Sequence, residues 1–468
     1  MGEIQVSPFG TRARFAMLML VLLCLTSVWS NILTFNFAII CMGNHQQNGT
    51  NETTQDPVFT KTEQKYAISI VAVAAILANF PVLSLVNHYQ IRTIFGVAGL
   101  LSAIVTLAIP PAIRAGFYYF LALRFVHGVA FAVNLPVIGA FCSKWAYYKQ
   151  NGLFVAGLVA YLQVAPAFTN PVSGGICHVF GWSAIFYFHG AVGLVLFLVY
   201  GFFYRNSPGK HPFVSDVEKN KIQIGKSTTD KKALKQVPYG KIVRTPAIWA
   251  VWIASFGNFT VINMIFLYSP IYLSTVLGYS VTNTGFTAAL APLAQAIMKV
   301  VVGQLSDKIK FLSEVNKLRM FNTIAFFGCF FFLCLLAFTD PLTQVVHFKL
   351  SLIFFGCAGG IVGANTGGFF RAAPILSRQY SHFVTGNISL GISITMFLVP
   401  FFVTPMTPNN TAEEWRVVFL CLGGVMAICN VIFCIFVRGE PCEWTKEDFV
   451  ITRTSVVQPT QINEPRKF

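Results

Sequence analysis

About twelve apolar runs of some 20 residues or more, joined by polar loops, decide what this chain can fold into. Each run is long enough to cross a hydrocarbon layer of ~30 Å. A backbone facing lipid has no water to bond and must satisfy its own polar groups, so each run is predicted to be a helix. The predicted spans are 15–42, 65–86, 93–113, 117–141, 152–176, 181–204, 247–273, 283–305, 318–339, 346–369, 383–405 and 416–438. Charge usage agrees: 11% of residues are charged, against roughly a quarter in soluble chains. The first run is too long for a signal-peptide core and is expected to remain as the first span.

Basic residues orient the spans. Arg12 and Arg14 precede the first; Arg92, Lys144 and Lys149 lie in the next loops on that side. The segment Arg205–Arg244 follows with ten Lys/Arg against three acids, and Lys308, Lys310, Lys317, Arg319, Arg371 and Arg378 come after it. Positive loops stay in the cytoplasm, so both termini are predicted to be cytoplasmic. The net charge of +16 is therefore read as topology, not as nucleic-acid binding. Sequons at Asn48, Asn51 and Asn409 all fall in loops assigned to the outside and are expected glycosylation sites. The eleven cysteines form no CxxC pair and are read as small buried hydrophobes. No His cluster at ligand spacing, nucleotide loop or GxSxG is present, so no metal site, cofactor or enzyme chemistry is expected.

The basic segment divides the chain into halves that echo each other. Trp182-Ser-Ala-Ile-Phe186 opens the last run of the first half, and Trp415-Arg-Val-Val-Phe419 opens the last run of the second. Six spans plus six with a basic linker resembles the major-facilitator plan, which places the substrate path between two bundles. The expected divisions are a cytoplasmic tail 1–14, a bundle 15–204 with outer loop 43–64, a linker 205–246, a bundle 247–438 and a cytoplasmic tail 439–468.

One span carries an arginine, Arg124, at hydrocarbon depth. A charge there is costly and marks a candidate functional site. At 3.6 residues per turn, Arg124, His127, Phe131 and Asn134 share roughly a quarter of the helix circumference. None of the seventeen acids stands in the middle third of a span. Compensation for Arg124 must come from water, backbone carbonyls, an outer-edge acid such as Glu63 or Asp340, or an incoming anion. The anion is the reading adopted, because a guanidinium fork suits carboxylate or phosphate. Asn36, Asn258, Tyr161 and Asn365 are further candidates for the substrate cavity. Arg92, Asp307, Lys308 and Arg319 are candidates for a cytoplasmic latch. Lys299 is expected to snorkel to the cytoplasmic surface, and His189 to pack.

Several stretches carry a family resemblance. In the first half they are Arg124, Gly128 and Pro136, then Lys144-Trp145, Pro171, Gly174, and Gly181-Trp182…Phe186-Tyr187…Gly190. In the second they are Pro246…Trp249-Ala250, Pro270-x-Tyr272-Leu273, Gly303…Asp307 and Gly439-Glu440…Trp444. In this order they resemble the anion/cation symporter family, which contains the vesicular glutamate transporters, sialin and the type I sodium–phosphate cotransporters. The chain departs from the family pattern where His127 replaces a glutamine, Phe131 an acid, and Asn258 an arginine of some relatives.

The expected protein is thus an all-α membrane protein that carries a small organic or inorganic anion by alternating access. It is expected to act as a monomer in the lipid bilayer, either coupled to H+ or Na+ or as a facilitative uniporter, with the cell surface preferred to lysosome or vesicle. The alternatives are a ligand sensor on a transporter fold, or a carrier of a neutral solute.

Overall fold

The computed structural model describes residues 12–47, 59–147, 150–223, 238–339 and 345–445, and every regular element among them is a helix. Asn48 and Asn51, most of the outer loop, Asp340, and the tails before residue 12 and after 445 lie outside the described residues. Ten helical segments are long and apolar enough to cross a membrane. One of them, Asn151–Phe203, is 53 residues long and breaks at Gly181, whose φ of 77° suits glycine. The loop predicted between two spans falls at this break.

In the first half the helices are α1 Ala13–Gln47, α2 Lys61–His88, α3 Ile91–Ala115, α4 Phe117–Phe131, α5 Asn134–Trp145, α6 Asn151–Val159 and α7 Tyr161–Phe203. The linker holds α8 Asp216–Gln223 and α9 Tyr239–Val243. The second half holds α10 Pro246–Ile271, α11 Val281–Ala288, α12 Leu290–Lys308, α13 Glu314–Phe338, α14 Val345–Ile361, α15 Phe369–Ser377, α16 Ser381–Met406 and α17 Ala412–Phe436. Local chemistry explains several starts. Thr60 with Glu63 and Thr411 with Glu414 form capping boxes on α2 and α17, each satisfying backbone donors that a helix start leaves free. Pro246 occupies the first turn of α10, where its missing N–H costs nothing.

Between α14 and α15 the helix tightens to a 3-10 turn over Val362–Gly367. Gly367 and Gly368 let this turn press onto α13: β-carbons there would lie 2.6 Å from the Phe321 ring and 2.7 Å from Asn322 Oδ1. The Phe369 N–H, free where the helix restarts, donates to Asn322 Oδ1 at 3.3 Å. Such repair is what an interrupted helix at membrane depth requires.

Within the first half α1 packs on α7, α2 on α4, and α3 on both α4 and α7; in the second α13 packs on α17, and α10 on α16 and α17. The halves meet where α7 packs on α11, α2 on α16 and α1 on α10. The end bearing Thr60, Gly116, Gly278 and Thr411 is the one predicted to face outward. Named contacts across the halves run from mid-span to this end. Gln163 Nε2 donates to Gln295 Oε1 at 3.0 Å, Gly285 packs against the Asn170 carbonyl, and Lys65 Nζ lies 5.1 Å from the Phe401 ring centre. At the opposite end the linker docks on the first half. The buried Glu218 accepts the Ala13 and Arg14 N–H groups at 3.0 and 3.1 Å and pairs with the Arg14 guanidinium.

Two cysteines correct the reading of all eleven as packing residues. Cys41, late in α1, and Cys177, just before the Gly181 break, form a disulfide with Cα atoms 6.1 Å apart. It closes a sequence separation of 136 residues, and in the chain-entropy account a cross-link over so long a loop stabilises by several kcal/mol. Cys41→Ser is expected to lower the thermal midpoint in detergent. Peptide mapping under non-reducing conditions should recover Cys41 and Cys177 in one fragment pair.

Candidate substrate site

Arg124 is fully buried on α4. Its Nε donates to Ala67 O on α2 at 3.1 Å, its Nη1 donates to Ile32 O on α1 at 2.9 Å, and Phe35 lies 5.2 Å from the guanidinium carbon. Nη2 has no partner. Two backbone carbonyls from neighbouring helices thus hold the fork in place. They come from helix interiors, and among the described residues no carboxylate pairs with it. Glu63, one of the outer acids considered, is spent on the capping box at Thr60. Gly128 makes the arrangement possible, since a β-carbon there would lie 2.1 Å from Val71 O.

His127 points to α3. Thr106 Oγ1 donates to Ser102 O at 2.7 Å, so its lone pair receives His127 Nε2–H at 2.9 Å. Nε2 is therefore the donor nitrogen of the imidazole, and Nδ1 has no partner. Ser102 extends the network to Asn31 at 3.2 Å. Arg124 and His127 both lie on α4, and Ala132 and Val133, in helical backbone, carry the chain on into α5 at Asn134. Arg124 turns toward α1 and α2, His127 toward α3.

Four more buried groups share the first half. Both polar atoms of Asn36, one residue after Phe35, lack a partner, as do both of Asn134. The Tyr161 hydroxyl lies near Asn134 without a well-formed hydrogen bond. The Trp29 ring, one turn from Ile32, lies tilted against Phe131 with centres 4.9 Å apart, and its Nε1–H is also free. In the second half Asn365 Nδ2 donates to Asn258 Oδ1 at 2.5 Å, leaving Asn258 Nδ2 and Asn365 Oδ1 unpartnered. Unpaired buried polar atoms are uncommon. Of these, Asn36 on α1, Tyr161 on α7 and Asn258 on α10 stand on helices that pack across the seam between the halves. The Gln163–Gln295 pair is the site feature that the sequence reading missed; its signal is an amide at mid-span in each half.

The latch residues are distributed differently from expectation. Asp307 bonds Arg371 Nη1 at 2.6 Å, and Arg371 Nη2 lies 3.5 Å from Glu314. Lys308 and Arg319, expected beside Asp307, have no ion pair among the described residues. Arg92 holds the end of α7 within its own half, its Nε donating to Gly201 O at 3.1 Å and its N–H to Asn206 Oδ1 at 3.0 Å. His189 packs as expected, between Phe168 and Phe188, and is bonded to Ser173 at 3.3 Å. Asn409 is exposed, its amide donating to Glu414 at 3.1 Å.

Comparison with known proteins agrees with this architecture. The chain is 25% identical over 452 residues to mouse sodium-dependent phosphate transport protein 1, covering 93% of this chain and 95% of that one. It is 27% identical to human sialin over 363 residues, 76% of this chain and 70% of sialin. Vesicular glutamate transporter 1 of Xenopus laevis is 24% identical over 374 residues, 77% of this chain and 63% of that one. These relatives are the members of the family that the motifs resemble; they are membrane transporters, not enzymes.

Solved structures agree in fold. A D-xylose–proton symporter superposes with a TM-score of 0.67 at 13% identity, covering 91% of this chain and 98% of that one. A bacterial homologue of the human lysosomal transporter Spinster, inward-facing and occupied, gives 0.64 at 14%, covering 91% and 97%. A family model described as Major Facilitator Superfamily matches residues 17–386. By that match and by its helical fold, this multi-pass membrane protein belongs to the Major Facilitator Superfamily.

Proposed function

We propose that the chain is a twelve-span carrier of a small organic or inorganic anion, working by alternating access of its two halves. Both termini are cytoplasmic, the bundles span 15–204 and 247–438, and the basic segment 205–246 joins them. A disulfide at the end that carries the sequons suits an oxidising outer face. The observation that carries the reading is Arg124: a fully buried guanidinium with one free nitrogen, no acidic partner among the described residues, and unpartnered Asn36, Asn134 and Tyr161 in the same half. Two relatives are named for phosphate and glutamate transport, which supports an anion. His127, donating to Thr106, ties α3 to α4 beside the Arg124 site in this reading. Transport in this reading is either coupled to H+ or Na+ or runs as uniport driven by the membrane potential.

The test is uptake into sealed vesicles of inorganic phosphate and a panel of carboxylates, at two pH values, with and without sodium. Parent protein is expected to accumulate at least one anion. Arg124→Ala is expected to lose that uptake by tenfold or more at equal protein amount, with Arg124→Lys falling between. Unimpaired transport by Arg124→Ala would reduce Arg124 to a structural tie between α1, α2 and α4.

A further inference from the structure

The second half carries a cation that the site above does not use. Lys299 stands on α12, in the segment Val281–Lys308 that is apolar enough to cross a membrane. Snorkelling would place it on the lipid-facing side of that helix, and the helix geometry places it elsewhere. Leu293, Ile297, Val300 and Val301 are 47%, 65%, 62% and 52% exposed and mark the lipid side. Gln295, Val302 and Ser306 are buried and mark the opposite side. At 100° per residue, Lys299 falls within about 60° of all three buried residues. It therefore lies on the protein-facing stripe.

Its surroundings offer no counter-charge. Lys299 is half-buried and its Nζ lies 5.8 Å from the Phe370 ring centre. It has no hydrogen bond or ion pair among the described residues. Two acids at the same end are taken: Asp307 is bonded by Arg371, and Glu314 by Lys317 and Arg371. One turn outward on the same stripe, Gln295 forms the mid-span bond to Gln163 of the other half. Lys299 thus stands immediately on the cytoplasmic side of that bridge, where no cross-half contact is named, whereas Arg124 stands on α4 nearer the outer end.

We propose that Lys299 is a second anion contact, a docking site on the cytoplasmic side where a phosphate or carboxylate is held between the cytoplasm and the Arg124 site. The proposal rests on the anion-transport reading and deepens it. An ammonium with three free donors, beside an aromatic face and out of lipid, is suited to receive an oxyanion. The two cations belong to different halves, so the path is positive on both sides of the mid-span bridge.

The experiment measures half-saturation for radiolabelled inorganic phosphate and radiolabelled glutamate in right-side-out and inside-out vesicles. Lys299→Gln is expected to raise the half-saturation at the cytoplasmic face roughly tenfold or more, as loss of a charged hydrogen bond does. The outer-face value should change much less, and Lys299→Arg should restore the parent value to within about threefold. Equal values for parent and Lys299→Gln at the cytoplasmic face, or an equal rise at both faces, would overturn the proposal. Should the glutamine variant fail to assemble, Lys299→Met against Lys299→Arg at matched protein amount decides the point by the same comparison. If Arg124→Ala loses transport while Lys299→Gln keeps parent values, only this inference falls. If the parent moves neither ion, the anion reading falls and takes it along.

Discussion

Gly128→Val is expected to leave little correctly assembled protein. A β-carbon at this position would lie 2.1 Å from Val71 O, 2.9 Å from Val71 C and 2.6 Å from the Ala74 β-carbon. Two of those neighbours are backbone, which cannot swing aside as a side-chain tip can. Nor is α2 free to retreat, because one turn earlier Arg124 Nε is bonded to Ala67 O on that helix. Separating the helices would break this tie and leave more of a buried guanidinium without partners, a strongly unfavourable outcome. Overpacking commonly costs about 1–3 kcal/mol, and a clash with backbone belongs at or above the upper end. Small residues at helix crossings in membranes let backbones approach in this way. The measurement is the monodisperse fraction and thermal midpoint in detergent for Gly128→Ala and Gly128→Val beside Gly139→Ala, where a β-carbon meets nothing within 4 Å. The ordering should be Gly139→Ala close to parent, Gly128→Ala lower, and Gly128→Val mostly lost. A well-folded Gly128→Val would mean that α2 and α4 are not locked here, and the fixed geometry of Arg124 would lose its basis.

What could be read from the sequence follows from which interactions leave a side-chain signature. Apolar run length marks ten helical segments among the described residues that can cross a membrane, and Gly181 breaks the longest of them beside the predicted turn. Arg124 is conspicuous because charge is rare in such runs. Its partners were not legible, since Ile32 and Ala67 contribute only carbonyls, which every residue has. The Cys41–Cys177 bond was hidden for a related reason: each cysteine stands alone in an apolar run, and only the packing of α1 on α7 brings them together. Asp307 was assigned to its sequence neighbours, but the guanidinium that reaches it is 64 residues on. Arg124 and His127 do lie on one helix, but a helical wheel does not show which neighbouring helices their side chains meet. In the structure α3 offers His127 a hydroxyl and a carbonyl.

Gly285→Val is expected to leave both halves folded yet weaken the outer closure between them. Gly285 on α11 faces α7, where its β-carbon would lie 2.5 Å from Asn170 O and 3.2 Å from Pro171 Cα. Gly174 answers from α7, its β-carbon 3.1 Å from Val281 O and 3.3 Å from Gly285 Cα. This is a backbone-on-backbone seam between the two halves, with no side chain to act as a spacer. On the rocking mechanism proposed here, the seam must close whenever the cytoplasmic side opens, so a valine penalises one access state and spares the other. An overpacking cost of roughly 1–3 kcal/mol shifts a two-state balance by about five- to 140-fold, since each ~1.4 kcal/mol is tenfold. Transport should fall by that order while the thermal midpoint stays near the parent's, because contacts within each half are untouched. Gly175→Val is the matched control, a β-carbon there meeting nothing within 4 Å. A cysteine placed by Gln295→Cys, at mid-span behind the seam, supplies the second readout. Its labelling by a membrane-impermeant maleimide from outside should rise several-fold when Gly285→Val is added. Labelling and transport both unchanged would mean that the halves do not part along α7 and α11, and the alternating-access reading would have to find another opening.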